Sequence, residues 1–130
     1  MSYDLYLFDM ELPDDPTRIA ELLDDESTWD QPLTSRLAAV VAELERRFPW
    51  DEDDPDGSPW ASWPLIQSVA GGRGCAFNIV WSEAERMGGV MLDVARLHDL
   101  TIYDPQSDSV VRPRDGARTG KRRWWKREHR

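Results

Sequence analysis

The residues with the most chemical potential in this chain lie in one stretch. Asp51-Glu52-Asp53-Asp54-Pro55-Asp56-Gly57 puts five carboxylates within six positions, bracketed by Trp50, Trp60 and Trp63. Alternating carboxylates before a glycine are the donor pattern of a calcium loop. If Gly57 takes the invariant glycine position, Glu52, Asp54 and Asp56 fall on the first three ligand positions. The bidentate glutamate that must close the shell would then fall on Trp63, and no helix enters the loop in the right frame. A solvated acidic loop or a partner-binding loop fits these residues better than a metal site. Carboxylates beside tryptophans are also what a hot-spot patch for a cationic protein requires, because the rings supply buried area and the acids supply charge. Asp51, Asp53, Asp54, Asp56, Trp60 and Trp63 are therefore the candidate partner-binding residues. The same tryptophans read equally as a lid on the core.

Other reactive groups are few. Cys75 is the single cysteine, which excludes an intrachain disulfide and a cysteine-rich zinc site. With no histidine nearby in sequence it reads as a buried, inert thiol. His98, beside Asp99 at a helix end, reads as a capping residue. Gly71-Gly72-Arg73-Gly74 resembles a phosphate cradle only superficially, because a strand and not a helix N-terminus follows it; a hairpin turn is expected. These residues contain no recognisable catalytic set. The chain is read as a non-enzyme without a cofactor or metal ligand set.

The C-terminal segment has a different chemistry. Arg122, Arg123, Trp124, Trp125, Lys126 and Arg127 combine cations with an aromatic pair. That combination suits phosphate contact with base stacking, a membrane surface, or docking on an acidic protein surface, including the chain's own. The net charge of −9 divides accordingly. Residues 1–110 hold 23 Asp and Glu against 7 Lys and Arg, a balance of −16; residues 111–130 hold 2 against 9, a balance of +7. A body this acidic repels nucleic acid and anionic membranes and attracts cationic proteins. Nucleic acid would be reached only through the tail.

These groups need elements to hold them. Tyr3–Asp9 is apolar on both faces and reads as a central strand. Asp15 with Pro16 opens a short helix through Ile19, Leu22 and Leu23. Leu33, Leu37, Val40, Val41, Leu44 and Phe48 follow helical spacing until Pro49. Leu65–Ala70 and Cys75–Trp81 form a hairpin around the glycines. On its second strand Phe77, Ile79 and Trp81 should share one face. Ser82-Glu83-Ala84-Glu85 reads as a capping box opening a helix that turns Met87, Val90, Met91, Val94 and Leu97 inward. Leu100–Asp104 and Ser109–Arg112 form a last hairpin. The order predicts an α+β domain with an antiparallel sheet, two main helices on one face and a ferredoxin-like split βαβ arrangement. A short extra helix and a C-terminal strand are added to it. The expected division is one domain over 1–111 and a basic extension over 112–130. No run approaches the about 20 apolar residues of a membrane span, and no signal peptide is evident, so a cytoplasmic location is expected. Oligomeric state is not encoded in these features.

Met1-Ser2-Tyr3-Asp4-Leu5-Tyr6-Leu7-Phe8 and Leu100-Thr101-Ile102-Tyr103-Asp104-Pro105-Gln106 resemble segments of small actinomycete-type bacterial proteins. These open on a similar strand and carry a late Tyr-Asp-Pro-Gln turn, and some resemble immunity proteins of polymorphic toxins. The resemblance covers about 15 of the 130 residues. It implies a small α+β fold and a protective binding role, and transfers no catalytic residue. With the charge division it leads to an expected function: a non-enzymatic acidic binding protein, an immunity-type antitoxin for a basic, nucleic-acid-targeting toxin. The alternatives are a small metal-dependent hydrolase using the clustered carboxylates, and a regulatory module binding nucleic acid through its tail.

Overall fold

Alternation along the first strand decides the architecture. In the computed structural model, which describes residues 2–63 and 67–113, β1 (Ser2–Phe8) sends Leu5 and Leu7 to one side of the sheet and Tyr6 and Phe8 to the other. Both sides are covered there, as the unbroken apolar run predicts for a central strand. The remaining elements are α1 (Pro16–Asp24), α2 (Ser35–Arg47), β2 (Ser68–Val69), β3 (Gly74–Val80), α3 (Ala84–His98), β4 (Thr101–Asp104) and β5 (Ser109–Val111). The five strands form one antiparallel sheet in the order β2-β3-β1-β4-β5. That is the expected split βαβ order, with β5 added at one edge.

The helices divide between the two faces. Leu37, Val40, Val41 and Leu44 of α2 and Met87, Met91, Leu92 and Val94 of α3 pack with Leu5, Leu7, Phe77, Ile79 and Ile102 in the main core. Each fully buried aliphatic side chain there contributes about 1.5–3 kcal/mol of transfer free energy. The smaller α1 covers part of the opposite face, where Ile19 meets Phe8, Val69 and Tyr103.

Local signals are met at α1, where the Asp15 side chain accepts from Thr17 N and Pro16 takes the first helical position. At α2, Thr34 is the N-cap and accepts from Leu37 N, so Leu33 precedes the helix. At α3 the expected capping box does not form. Residues Trp81–Glu83 make a 3-10 turn, the helix starts at Ala84, and Glu83 sits at its cap without a side-chain hydrogen bond. The cap is displaced because β3 ends one residue early and Trp81 leaves the strand. Two more expectations fail nearby. Leu97 is 76% exposed, since it lies across the helix from the buried face formed by Met87, Met91, Leu92, Val94 and Ala95. His98 does not cap the helix; Asp99, in the left-handed region at φ 60°, is the C-cap, and its N–H bonds back to Ala95 O and Arg96 O.

The glycine turn joins two antiparallel strands, as expected, but the first is shorter than Leu65–Ala70. β2 covers only Ser68–Val69, Ala70–Gly72 form a 3-10 turn, and Leu65 and Ile66 lie outside the described residues. The turn also fastens the α1–α2 connection. Gly72 O accepts from Thr34 N, Ser68 Oγ donates to Gln31 O, and Asp30 N donates to Ser68 O. Gly72 has φ +87° and lies against the Pro32 carbonyl, where any Cβ would collide.

Candidate functional site

The acidic loop begins where α2 must stop. Phe48 N–H still donates to Leu44 O, but Pro49 has no N–H with which to continue. Asp51 then folds the chain on itself: its Oδ1 accepts from Asp53 N at 2.9 Å and its carbonyl from Asp54 N at 3.0 Å. A 3-10 turn over Pro55–Gly57 follows, with Gly57 N donating to Asp54 O. Asp51, Glu52, Asp53, Asp54 and Asp56 are all exposed.

The return of the loop into the sheet shows what the tryptophans do. Pro59 O accepts from Val80 N and Ala61 N donates to Asn78 O, so residues 59–61 pair with the end of β3 that β2 leaves free. Trp60, expected on the partner surface, is 1% exposed and belongs to the core. Its ring lies edge-on to Phe48 at 6.3 Å and 6.1 Å from Phe77. Its Nε1 donates to Phe48 O at 2.7 Å, tying the loop's exit to its entrance. Trp63 does reach the surface, 38% exposed and stacked on Trp50 at 6.3 Å and 15°. The expected patch thus splits into exposed acids and Trp63 outside, with Trp60 as their anchor inside.

Arginines modify the loop's field. A cleft of about 430 Å³ at its foot is lined by Asp51, Asp54 and Ser58 together with Arg47 and Arg86. The two guanidinium carbons lie 5.3 and 5.5 Å from the Phe48 ring centroid. Each is also held by a glutamate of its own helix turn or cap: Arg47 by Glu43 at 2.9 Å and Arg86 by Glu83 at 2.7 Å. Neither arginine was singled out by the sequence, because their convergence on Phe48 joins the end of α2 to the start of α3.

A second constellation joins the two segments that carried the family resemblance. Asp104, fully buried, accepts from the Tyr3 hydroxyl and, through Oδ1, from Gln106 N at 3.0 Å. With its carboxamide turned to satisfy both neighbours, Gln106 donates to Asp4 O at 2.9 Å and to Asp104 Oδ1 at 2.7 Å. It also accepts from Asp4 N at 3.2 Å. The side chain thus pairs with the backbone of β1 beyond the point where β4 stops. Asp4 Oδ1 in turn accepts from Asn78 Nδ2, and Asn78 Oδ1 from Ser62 Oγ. Trp81, expected inward, is 48% exposed and packs its ring 5.3 Å from Tyr3. Only the strand alternation hinted at Trp81, and the 3-10 turn cancelled that hint.

Burial pushes the Cys75 thiol up to about 11, a value at which it is neutral and unreactive near neutrality. Burial raises Tyr6, with Asp4 and Asp24 adding to the effect, and burial likewise raises Tyr103, beside Asp108. Burial also works against ionised Glu43, but the Arg47 hydrogen bond and the His98 imidazole outweigh it and hold the carboxyl below its ordinary value. His98 Nε2 lies 3.5 Å from Glu43 Oε1, an ion pair only when the imidazole carries a second proton, and without hydrogen-bond geometry. Among the described residues no three His, Cys, Asp or Glu side chains converge as a metal site would need. No described helix is long and apolar enough to cross a membrane.

The tail residues Arg122, Arg123, Trp124, Trp125, Lys126 and Arg127 lie outside the described residues. The root of that segment is described: Arg112 donates to Leu12 O at 3.1 Å and to Asp14 Oδ1 at 2.8 Å. Comparison with protein-family models, curated proteins and solved structures gives no match to this chain.

Proposed function

We propose that this chain is a non-enzymatic binding protein of the immunity type, which offers its acidic loop to a basic, nucleic-acid-targeting toxin. The observation that carries the reading is the exposure of all five carboxylates of residues 51–56 on a loop pinned at both ends by Trp60. An anchored loop loses little conformational entropy when a partner arrives, so its charges act at low cost. Trp63, on the loop's margin, adds an aromatic contact of the kind that dominates binding energy. The carboxylates would stand in for phosphates, occupying the toxin's nucleic-acid surface and steering association. The acidic balance of the body and the resemblance of residues 1–8 and 100–106 support the same direction.

The test takes the products of the genes flanking this one, each purified, as candidate partners; the proposal requires that one of them be a basic protein that binds. Calorimetry should show binding, and Asp51→Asn, Asp53→Asn, Asp54→Asn and Asp56→Asn combined should weaken it by about tenfold or more. The wild type should protect cells expressing that neighbour and the variant should not. Absence of binding by the wild type, or an unchanged affinity in a folded variant, would overturn the proposal.

A further inference from the structure

The opposite side of the molecule has its own unbalanced charge. Residues 11–26, covering the approach to α1 and the helix itself, carry seven carboxylates against Arg18 alone, and all seven are exposed. The small core beneath is incompletely covered, since Met10, Leu22 and Leu23 remain only partly buried at its margin. This flank therefore presents apolar surface rimmed by carboxylates. An occupant that fits it needs cations and aromatic rings close together.

Such a segment exists in the chain. Residues 114–130 contain eight Lys and Arg against two acids, with Trp124-Trp125 set between cationic pairs. The chain enters that segment from the flank itself, because Arg112 is already held there by Leu12 O and Asp14. We propose that the α1 flank is the docking surface for this chain's own residues 114–130, with Arg112 as the hinge-side anchor. Tethering places the segment at an effective concentration of the order of millimolar, so modest contacts suffice. Reach is ample: 17 residues can extend over about 55 Å, whereas nine helical residues span about 13 Å. The ion pairs have a further consequence. While docked, the basic segment is withheld from other anions, nucleic acid included.

The experiment uses the full chain and trypsin, cutting after Lys121–Arg127, with a synthetic 114–130 peptide as reference. In about 20 mM NaCl the intact protein should be cut about tenfold more slowly than the peptide, and the difference should vanish in about 0.5 M NaCl. Asp14→Asn, Glu21→Gln, Asp24→Asn and Asp25→Asn combined should abolish the protection and increase salt-sensitive binding of a single-stranded oligonucleotide. Should that variant fail to fold, Arg122→Gln, Arg123→Gln, Lys126→Gln and Arg127→Gln combined should shift the amide resonances of α1. Equal cutting of protein and peptide at low salt overturns the inference. So does protection that survives loss of the α1 carboxylates, or tail neutralisation that leaves α1 resonances unmoved. These results are independent of the loop 51–56, so they leave the antitoxin reading to its own test.

Discussion

Two tryptophans three positions apart carry opposite burdens. Trp60 fills the space between Phe48 and Phe77 and satisfies the Phe48 carbonyl, so Trp60→Ala should cost about 3–5 kcal/mol in chemical denaturation. Trp63 rests on Trp50 at the surface, and Trp63→Ala should cost less than about 1 kcal/mol while still weakening partner binding. Similar losses for both would contradict the division into anchor and contact. Gly72 is the other sensitive position. Gly72→Ala must adopt φ +87° and push against the Pro32 carbonyl, so a loss above about 2 kcal/mol is expected. The conformation alone would cost about half of that, and the remainder reports the α1–α2 connection pressed against the turn.

Between elements, Glu43 brings α2 against α3. Glu43 sits on α2 within reach of Arg47 on its own helix and of His98 on α3. Its carboxyl titrates below the ordinary glutamate range in the folded protein, so the ionised form stabilises the fold. The sign follows from linkage: the contribution is present above the unfolded pKa, about 4.3, and is lost as pH falls through the lower folded value. Urea melts should therefore show wild type more stable than Glu43→Gln at pH 7, with the gap closing below about pH 4. A gap that persists at low pH would assign the effect to packing. The α3 boundary teaches a related lesson. Ser82-Glu83-Ala84-Glu85 has the composition of a capping box, yet a 3-10 turn intervenes and Glu83 pairs with Arg86 instead. Local pattern placed the helix correctly. Where β3 releases the chain decided its first residue.

Across the whole molecule, Cys75 reports cooperativity. It lies in β3 with strands on both sides and is fully buried, with its thiol raised to about 11. At pH 8 a thiol reagent should leave the native protein unmodified, and the slow reaction that remains should track global unfolding measured by denaturant. Fast modification under native conditions would show that the β2 edge opens separately. The acidity also acts at this scale, as two surfaces rather than one: the loop at the end of α2 and the α1 flank. Sequence composition separated body from tail but could not divide the body. The two acidic runs lie about 25 residues apart, and only the placement of α1 and α2 on opposite faces of the sheet parts them.

Taken alone, the amino-acid sequence determined the order and type of the elements. Apolar alternation in β1, the Asp15-Pro16 start, the α2 stripe ending at Pro49 and the glycine hairpin are local, and each acts within a few residues. Those signals also located the acidic loop and its exposure. Tertiary structure decided everything that joins distant positions. It buried Trp60 while exposing Trp63, brought Arg47 and Arg86 onto one ring, and closed Tyr3 and Asp4 against Asp104 and Gln106. It also left Trp81 and Leu97 exposed, where a buried place was expected. The physical reason is common to all of these. Burial and pairing depend on which surfaces meet across the sheet, and a periodic pattern names a face without naming what will cover it.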